Sequence, residues 1–143
     1  MEEGILKLLR QDSFFLQRDH DHEVIVVDLT RHNRKPFVIK SMAFLLHPEA
    51  KSVLLVNNIF DRGRKTTMMS FSMSLGFDKG ISAVKDLGEI MRTLNIGNGH
   101  AGAAGGVVAA ESRKNSENKK RLLIHDIYEL WKNQTAPVGI NQT

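Results

Sequence analysis

Residues 66–75 have the sequence TTMMSFSMSL, and this stretch gives the clearest structural signal in the chain. Two sets of side chains alternate along it, namely Met69, Phe71, Met73 and Leu75 in one set and Met68, Ser70, Ser72 and Ser74 in the other. Successive side chains of a strand point to opposite faces of its sheet. The alternation therefore predicts a strand with one apolar face and one face lined by hydroxyl groups.

Strands and helices alternate on both sides of this strand. Apolar runs rich in β-branched residues predict further strands at 23–30, 52–60 and 107–110. Helical spacing of apolar residues predicts helices over 4–18 and 36–46, and two more that begin at Asp86 and Ser116. This order is typical of an α/β domain. We therefore predict a single α/β domain with a mixed β-sheet of about four to five strands and flanking helices.

The length of 143 residues is that of one domain. We expect an N-terminal helix and linker at 1–20, the domain proper at 21–134, and a flexible tail at 135–143. No apolar run approaches the roughly 20 residues of a membrane span, so no membrane partner is expected. The acidic start of the chain lacks the basic region of a signal peptide, which makes the cytoplasm the default location.

The composition limits the chemistry that the chain can perform. The absence of cysteine excludes disulfides, thiolate zinc sites, iron–sulfur clusters and a cysteine nucleophile. Residues 19–22 (DHDH) alternate two types of metal ligand, but a polar turn is the simpler interpretation. We therefore assign no metal site and no catalytic residue to the chain.

The net charge of +4 conceals two basic blocks. Residues 31–65 carry eight Lys or Arg and two Asp or Glu, and residues 111–121 carry five and two. Clustered cations favour an anionic partner such as a phosphate or a nucleic acid. A solvated basic surface without a partner is the simpler alternative, and the sequence leaves it open.

Residues 97–106 contain five of the 11 glycines of the chain. Gly97, Gly99 and Gly102 satisfy the dinucleotide-binding pattern G-x-G-x-x-G, but here a helix precedes the glycines and a strand follows them, the reverse of that motif. Closely spaced glycines allow backbone amides to converge on an anion, and His100 is able to donate to a phosphate oxygen. Alternatively, the small residues serve only to pack a helix tightly against a strand.

The segment from Gly97 to Gly105 has the sequence GNGHAGAAG, which resembles the GGGHxxAAG signature of the DHH-associated C-terminal domain in the DHH phosphoesterase superfamily. The setting of the motif is similar too. A helix that begins at Asp86 precedes it, and a strand and a closing helix follow it. The order of elements fits this family from about Glu23 to Trp131. Members include nanoRNases, 3′-phosphoadenosine 5′-phosphate phosphatases and exopolyphosphatase-like enzymes.

The resemblance implies a substrate-binding domain that grips the phosphate or terminal nucleotide of a nucleotide or a short single-stranded oligonucleotide. Catalysis is then the task of a separate DHH domain in the same parent protein, which holds manganese with Asp and His residues. The present chain supplies no stretch that matches those catalytic motifs, and whether it forms a homodimer is left open. The substrate-binding residues implied are Gly97, Asn98, Gly99, His100, Ala103, Ala104, Gly105, Ser72 and Ser74.

Two departures from the family pattern affect the expected phosphate contacts. The strand at 70–74 lacks the arginine of the family's Ser-x-Arg-Ser, and Asn98 stands where the family has a glycine. We therefore expect Arg62 and Arg64, with the adjacent Lys65, to share the phosphate.

Two other functions compete with this hypothesis. The first is a stand-alone RNA-binding module without hydrolase activity, which is how the related domain of alanyl-tRNA synthetases works. The second is a self-contained metal hydrolase built on residues 19–22.

Overall fold

The computed structural model describes residues 2–77 and 80–135, and within them the chain forms one mixed six-stranded sheet with helices on both faces. The strands are β1 (Ser13–Phe14), β2 (Val24–Asp28), β3 (Ser52–Asp61), β4 (Arg64–Leu75), β5 (Gly97–Gly99) and β6 (Ala103–Val108). The helices are α1 (Glu2–Asp12), α2 (Ala43–Leu46), α3 (Leu87–Thr93) and α4 (Arg113–Asn133), with 3₁₀ turns at Lys40–Met42 and Ile81–Ala83. The predicted α/β class is confirmed, with six strands instead of four to five.

The strand order is β1-β2-β3-β4-β6-β5, and only β2 and β3 pair in parallel. Strands β3 and β4 form a long hairpin whose turn residues, Arg62 and Gly63, both have positive φ. In the centre of the sheet, Ser72 lies opposite Leu55 of β3 on one side and Gly105 of β6 on the other. This register places the serines of β4 beside the glycine-rich strand.

One face of the sheet is covered by α3 and α4, and we call it the α4 face. Met69, Phe71 and Met73 of β4 are almost fully buried there, together with Ile127 and Trp131 of α4. Burial of large apolar side chains of this kind contributes about 1.5–3 kcal/mol each. The two-sided character predicted for β4 is therefore confirmed on its apolar side.

The opposite face is covered over only half of its width. A second apolar cluster, with Leu9 of α1 and Phe44 of α2, packs over β2 and β3, and it includes no residue of β4, β5 or β6. The uncovered half presents residues that are half-buried or exposed. We call it the serine face, and it consists of Ser70, Ser72, Ser74, Ala103, Gly105 and Val107.

Several element boundaries differ from the sequence-based expectation. The helix expected over 4–18 ends at Asp12, because Ser13 and Phe14 pair with β2 and extend the sheet by one edge strand. The helix expected over 36–46 is reduced to a 3₁₀ turn and α2, and residues 36–39 are not helical. The strand expected over 107–110 runs from Ala103 to Val108, because β4 and β5 both pair with its glycine-rich part.

The N-terminal segment belongs to the same core as the rest of the chain. Leu9 is fully buried, and β1 is hydrogen-bonded to β2. Apart from Thr135, the expected tail (135–143) lies outside the described residues. None of the helices in the described ranges has the length and apolarity that a membrane span requires.

Candidate functional site

The glycine segment forms a tight hairpin of β5 and β6 instead of a loop. A side chain on Gly97 would collide with the carbonyl oxygen of Gly105. Gly99 has a φ of +157°, and a Cβ there would lie 2.5 Å from the carbonyl oxygen of Ala103 and from Cα of Ala104. Close pairing of β5 with β6 therefore requires these two glycines, whereas the packing interpretation expected contact between a helix and a strand.

Helix α3 holds the turn of this hairpin in place. Asp86 is its N-cap, as predicted, and Oδ1 of Asp86 accepts a hydrogen bond from the Glu89 amide at 3.1 Å. The amides of Leu87 and Gly88 donate to the carbonyl oxygens of Ala101 and His100 at 3.1 and 3.0 Å. Since hairpin carbonyls accept from these first-turn amides, the helix terminus fixes the hairpin and does not present those amides to an anion.

The end of α4 in turn holds α3. Gln134 accepts from the Asp86 amide at 2.9 Å through Oε1, and its Nε2 donates to the Asp86 carbonyl oxygen at 2.8 Å. The neighbouring Lys85 donates to the carbonyl oxygens of Trp131 and Gln134, at the C-terminal end of α4. A cation in this position complements the helix dipole. We call these contacts the α3–α4 clasp.

His100 is exposed at the turn of the hairpin. Its Nδ1 accepts a hydrogen bond from the Gly102 amide at 3.2 Å, so the neutral imidazole is assigned with its proton on Nε2. The amides of Gly99 and His100 donate within the hairpin, to Oδ1 of Asn98 and to the carbonyl oxygen of Ala103. An anion at this turn would therefore be bound by Nε2 of His100 and other side chains, and not by these amides.

The structure brings several expected site residues together on the serine face. Ser72 is paired with Gly105, Ser74 is paired with Ala103, and Asn98 of β5 lies opposite Gly105. The Leu75 amide donates to the Gly102 carbonyl oxygen at 3.0 Å, which joins the end of β4 to the turn that carries His100.

Ala104 lies on the α4 face and is only 8% exposed, so it packs in the core instead of lining the serine face. Its neighbours in sequence, Ala103 and Gly105, lie on the serine face, because successive residues of a strand face opposite sides of the sheet. Ala104 therefore supports the site through packing.

Arg62 and Arg64 are not part of this arrangement. They lie at the β3–β4 turn, and ten residues of extended strand, about 33 Å, separate Arg64 from Ser74. Lys65 donates to the carbonyl oxygen of Thr30 on the α4 side. The structure therefore does not bring these arginines together with the turn that carries His100, as the expected sharing of one phosphate requires, because they lie at opposite ends of β4.

Two cations outside the expected site residues do reach the candidate site. Nζ of Lys40 donates to Oγ of Ser72 at 2.6 Å. On the hairpin side, Nη1 of Arg92 donates to Oδ1 of Asn98 at 2.8 Å and to the Gly99 carbonyl oxygen at 3.0 Å. The only sequence signal for Lys40 was its membership of the basic block at 31–65, and Arg92 had none.

Within the 19–22 segment, Asp19 has a structural role at the start of β2. The carboxylate of Asp19 is 2% exposed and accepts from the amides of Glu23 and Val24 at 3.1 and 2.9 Å, which caps the start of β2. Tyr128 donates to the same carboxylate at 3.3 Å, and burial together with the Asp19 charge raises the pKa of Tyr128 to about 12. Over residues 2–77 and 80–135, no three His, Asp or Glu side chains are grouped as a metal site.

No family model and no curated protein matches the sequence, but 19 chains of solved structures match the fold. Among them is the pGpG-specific phosphodiesterase PggH from Vibrio cholerae, with a TM-score of 0.63 and 18% sequence identity. The two chains share a fold. The match covers 87% of this chain and 38% of PggH, so the present chain spans well under half of that protein.

Proposed function

We propose that this chain is the substrate-binding C-terminal domain of a DHH-type phosphoesterase. In this proposal it grips a phosphate or the terminal nucleotide of a nucleotide or short single-stranded oligonucleotide. The observation that carries the proposal is the position of His100, which is exposed at the turn between β5 and β6, with Nδ1 accepting from the Gly102 amide. The shared fold with PggH, a phosphodiesterase for a dinucleotide, supports the same assignment.

The serine face supplies contacts that suit a nucleotide. The hydroxyl groups of Ser72 and Ser74 donate to and accept from phosphate or sugar oxygens. Gly105 has no side chain, so a ligand is able to approach the backbone beside Ser72. Val107 is 49% exposed on the same face and offers an apolar contact to a base.

The proposal assigns hydrolysis to a separate DHH domain of the parent protein, where manganese ions activate water. Among residues 2–77 and 80–135, no three His, Asp or Glu side chains are grouped so that they could hold such a metal. Its own part is to hold the phosphoester in a fixed orientation, which is a large contribution to catalysis when two reacting groups must meet.

The test is a calorimetric titration of the chain with the 5′-phosphorylated dinucleotide pGpG. Because hydrogen bonds to charged groups are strong, we expect His100→Ala to raise Kd about 10-fold or more. His20→Ala is the matched control, because His20 is exposed and lines a cavity on the α4 side with Arg18 and His125. An unchanged Kd in His100→Ala removes His100 from the site.

One observation favours the RNA-binding alternative. The two basic blocks meet at the β3–β4 turn, where burial, and then the nearby cations Arg113 and Lys120, lower the pKa of Lys65. This basic end is about 33 Å along β4 from Ser74, which lies next to the turn of the hairpin that carries His100. Binding of long single-stranded RNA that weakens steeply with salt and shows no preference for a terminal phosphate would favour this alternative.

A further inference from the structure

Lys40 is the cation closest to the centre of the serine face. The segment after β2 leads into the 3₁₀ turn Lys40–Met42, and this turn places the side chain of Lys40 over β4. Its Nζ donates to Oγ of Ser72 at 2.6 Å, in the row of residues that also contains Leu55 and Gly105. Lys40 therefore stands where the covered half of this sheet face meets the uncovered half.

No carboxylate of the described residues forms an ion pair with Lys40. Ser72 is its one hydrogen-bond partner among them. The side chain is half-buried, and this burial lowers the pKa of the ammonium group. A partly desolvated cation without a counter-charge is unfavourable for the folded protein by itself.

An ammonium group has three donors, and Ser72 uses one of them. The other two are left for a ligand on a surface that is lined by serines and has no side chain at Gly105. A phosphate group supplies what is missing here, because it carries negative charge and several acceptor oxygens.

We propose that Lys40 and Ser72 form a phosphate-binding subsite on the serine face. The inference deepens the proposed function, on which it rests for the identity of the ligand, and it names a residue that supplies positive charge on the serine face. Lys40 binds a phosphate oxygen directly, and Ser72 holds the ammonium group in position. Arg62 and Arg64 are too distant to provide this charge.

The experiment compares Lys40→Gln with Lys35→Gln in titrations with pGpG, with GpG, which lacks the terminal phosphate, and with inorganic phosphate. Lys35 belongs to the same basic block and is exposed, so its substitution makes the same change in net charge. We expect Lys40→Gln to raise Kd for pGpG about 10-fold or more, and Lys35→Gln to change it less than about twofold. Lys40→Arg keeps the charge and should retain most of the affinity.

The dinucleotides separate the two sources of phosphate. A loss seen with pGpG but not with GpG places the terminal phosphate on Lys40, and an equal loss with both places the internal phosphodiester there. If Lys40→Gln binds all three probes as Lys35→Gln does, the subsite is overturned. Thermal unfolding of each variant accompanies the titrations, so that an unfolded protein is not counted as one that has lost affinity.

The failure of this inference differs from the failure of the proposed function. If pGpG binding depends on His100 but not on Lys40, the nucleotide site stands and the Lys40 subsite is overturned. If His100→Ala has no effect while Lys40→Gln abolishes binding of inorganic phosphate, the subsite stands without the proposed nucleotide contact.

Discussion

Two lysines on opposite sides of the sheet show how differently the two faces are built. Lys120 of α4 is 5% exposed and donates to Asp28 at 2.7 Å and to Glu117 at 2.8 Å. Lys40 on the other side has Ser72 and no carboxylate among the described residues. Burial lowers the pKa of both, but the bonds to Asp28 and Glu117 outweigh burial at Lys120 and raise its pKa. At Lys120 the α4 face thus supplies counter-charges, and at Lys40 the serine face supplies none from the described residues.

The largest expected effect on stability is that of a substitution on the α4 face. Lys120→Met leaves the carboxylate of Asp28, which is 19% exposed, without its cation, and we expect the free energy of unfolding to fall by about 2–3 kcal/mol. Urea denaturation measures this change. Lys114→Met, at an exposed position of the same helix, is the control and should change stability by less than about 0.5 kcal/mol. Equal stability of the two variants would mean that the Lys120 pairs contribute little.

A second change on the α4 face tests its pH dependence. Tyr128→Phe removes the hydrogen bond to Asp19 and should lower stability by about 1 kcal/mol at pH 7. The pKa of Tyr128 rises from 10.0 to about 12 on folding, so the folded state holds this proton more tightly. The stability from this group is complete below pH 10 and is lost as pH rises towards 12. Between pH 10 and about 12, the free energy of unfolding should decline less steeply with pH for the Phe variant than for the unchanged protein. Equal slopes would contradict the raised pKa of Tyr128.

On the serine face, the sign of the stability effect should reverse. Lys40→Met removes a partly desolvated charge without a counter-ion, so we expect the free energy of unfolding to rise by about 0.5 kcal/mol. Lys120→Met is expected to lower it. Calorimetric unfolding in phosphate-free buffer measures the difference. A loss of stability as large as that of Lys120→Met would show that Lys40 has a structural role and would erase the contrast between the two faces.

The smallest effect is expected for Ser72→Ala. The hydroxyl group is half-buried and its partner Lys40 is accessible to water, so stability should change by less than about 0.5 kcal/mol. Kd for pGpG should nevertheless rise severalfold, because the ammonium group loses the contact that positions it. Ser70→Ala, two residues along the same strand, is the matched control. If both substitutions weaken binding equally, Ser72 has no special role.

The parts of the fold that depend on local signals were predictable from the sequence. The alternation of apolar and polar residues in 66–75 specified which residues of β4 are buried, because alternate residues of a strand lie on the same face of the sheet. The N-cap at Asp86 followed from the spacing to Glu89, which is one helical turn away. The missed edge strand β1 is only two residues long and exists through its pairing with β2, which no local pattern records.

The candidate site was predictable only in part, because contacts between distant segments leave no local pattern in the sequence. The glycine motif located the hairpin, but glycine disfavours strands in isolation, and only the pairing with β4 on one side and β5 on the other makes residues 103–108 a strand. The contact between Lys40 and Ser72 joins residues that are 32 positions apart. It depends on how the 3₁₀ turn packs over the sheet, so the sequence contains no spacing from which to infer it.

The α3–α4 clasp has a consequence for how the domain is assembled during synthesis. The hairpin that carries His100 is fixed by α3, and α3 is fixed by Gln134, which follows the last helix. A ribosome delivers the chain from its N-terminus, so β5 and β6 emerge more than 25 residues before their anchor is complete. The hairpin that carries the proposed site is thus expected to be among the last parts of the domain to mature, and a nascent chain stopped before Gln134 would carry the motif without its final geometry.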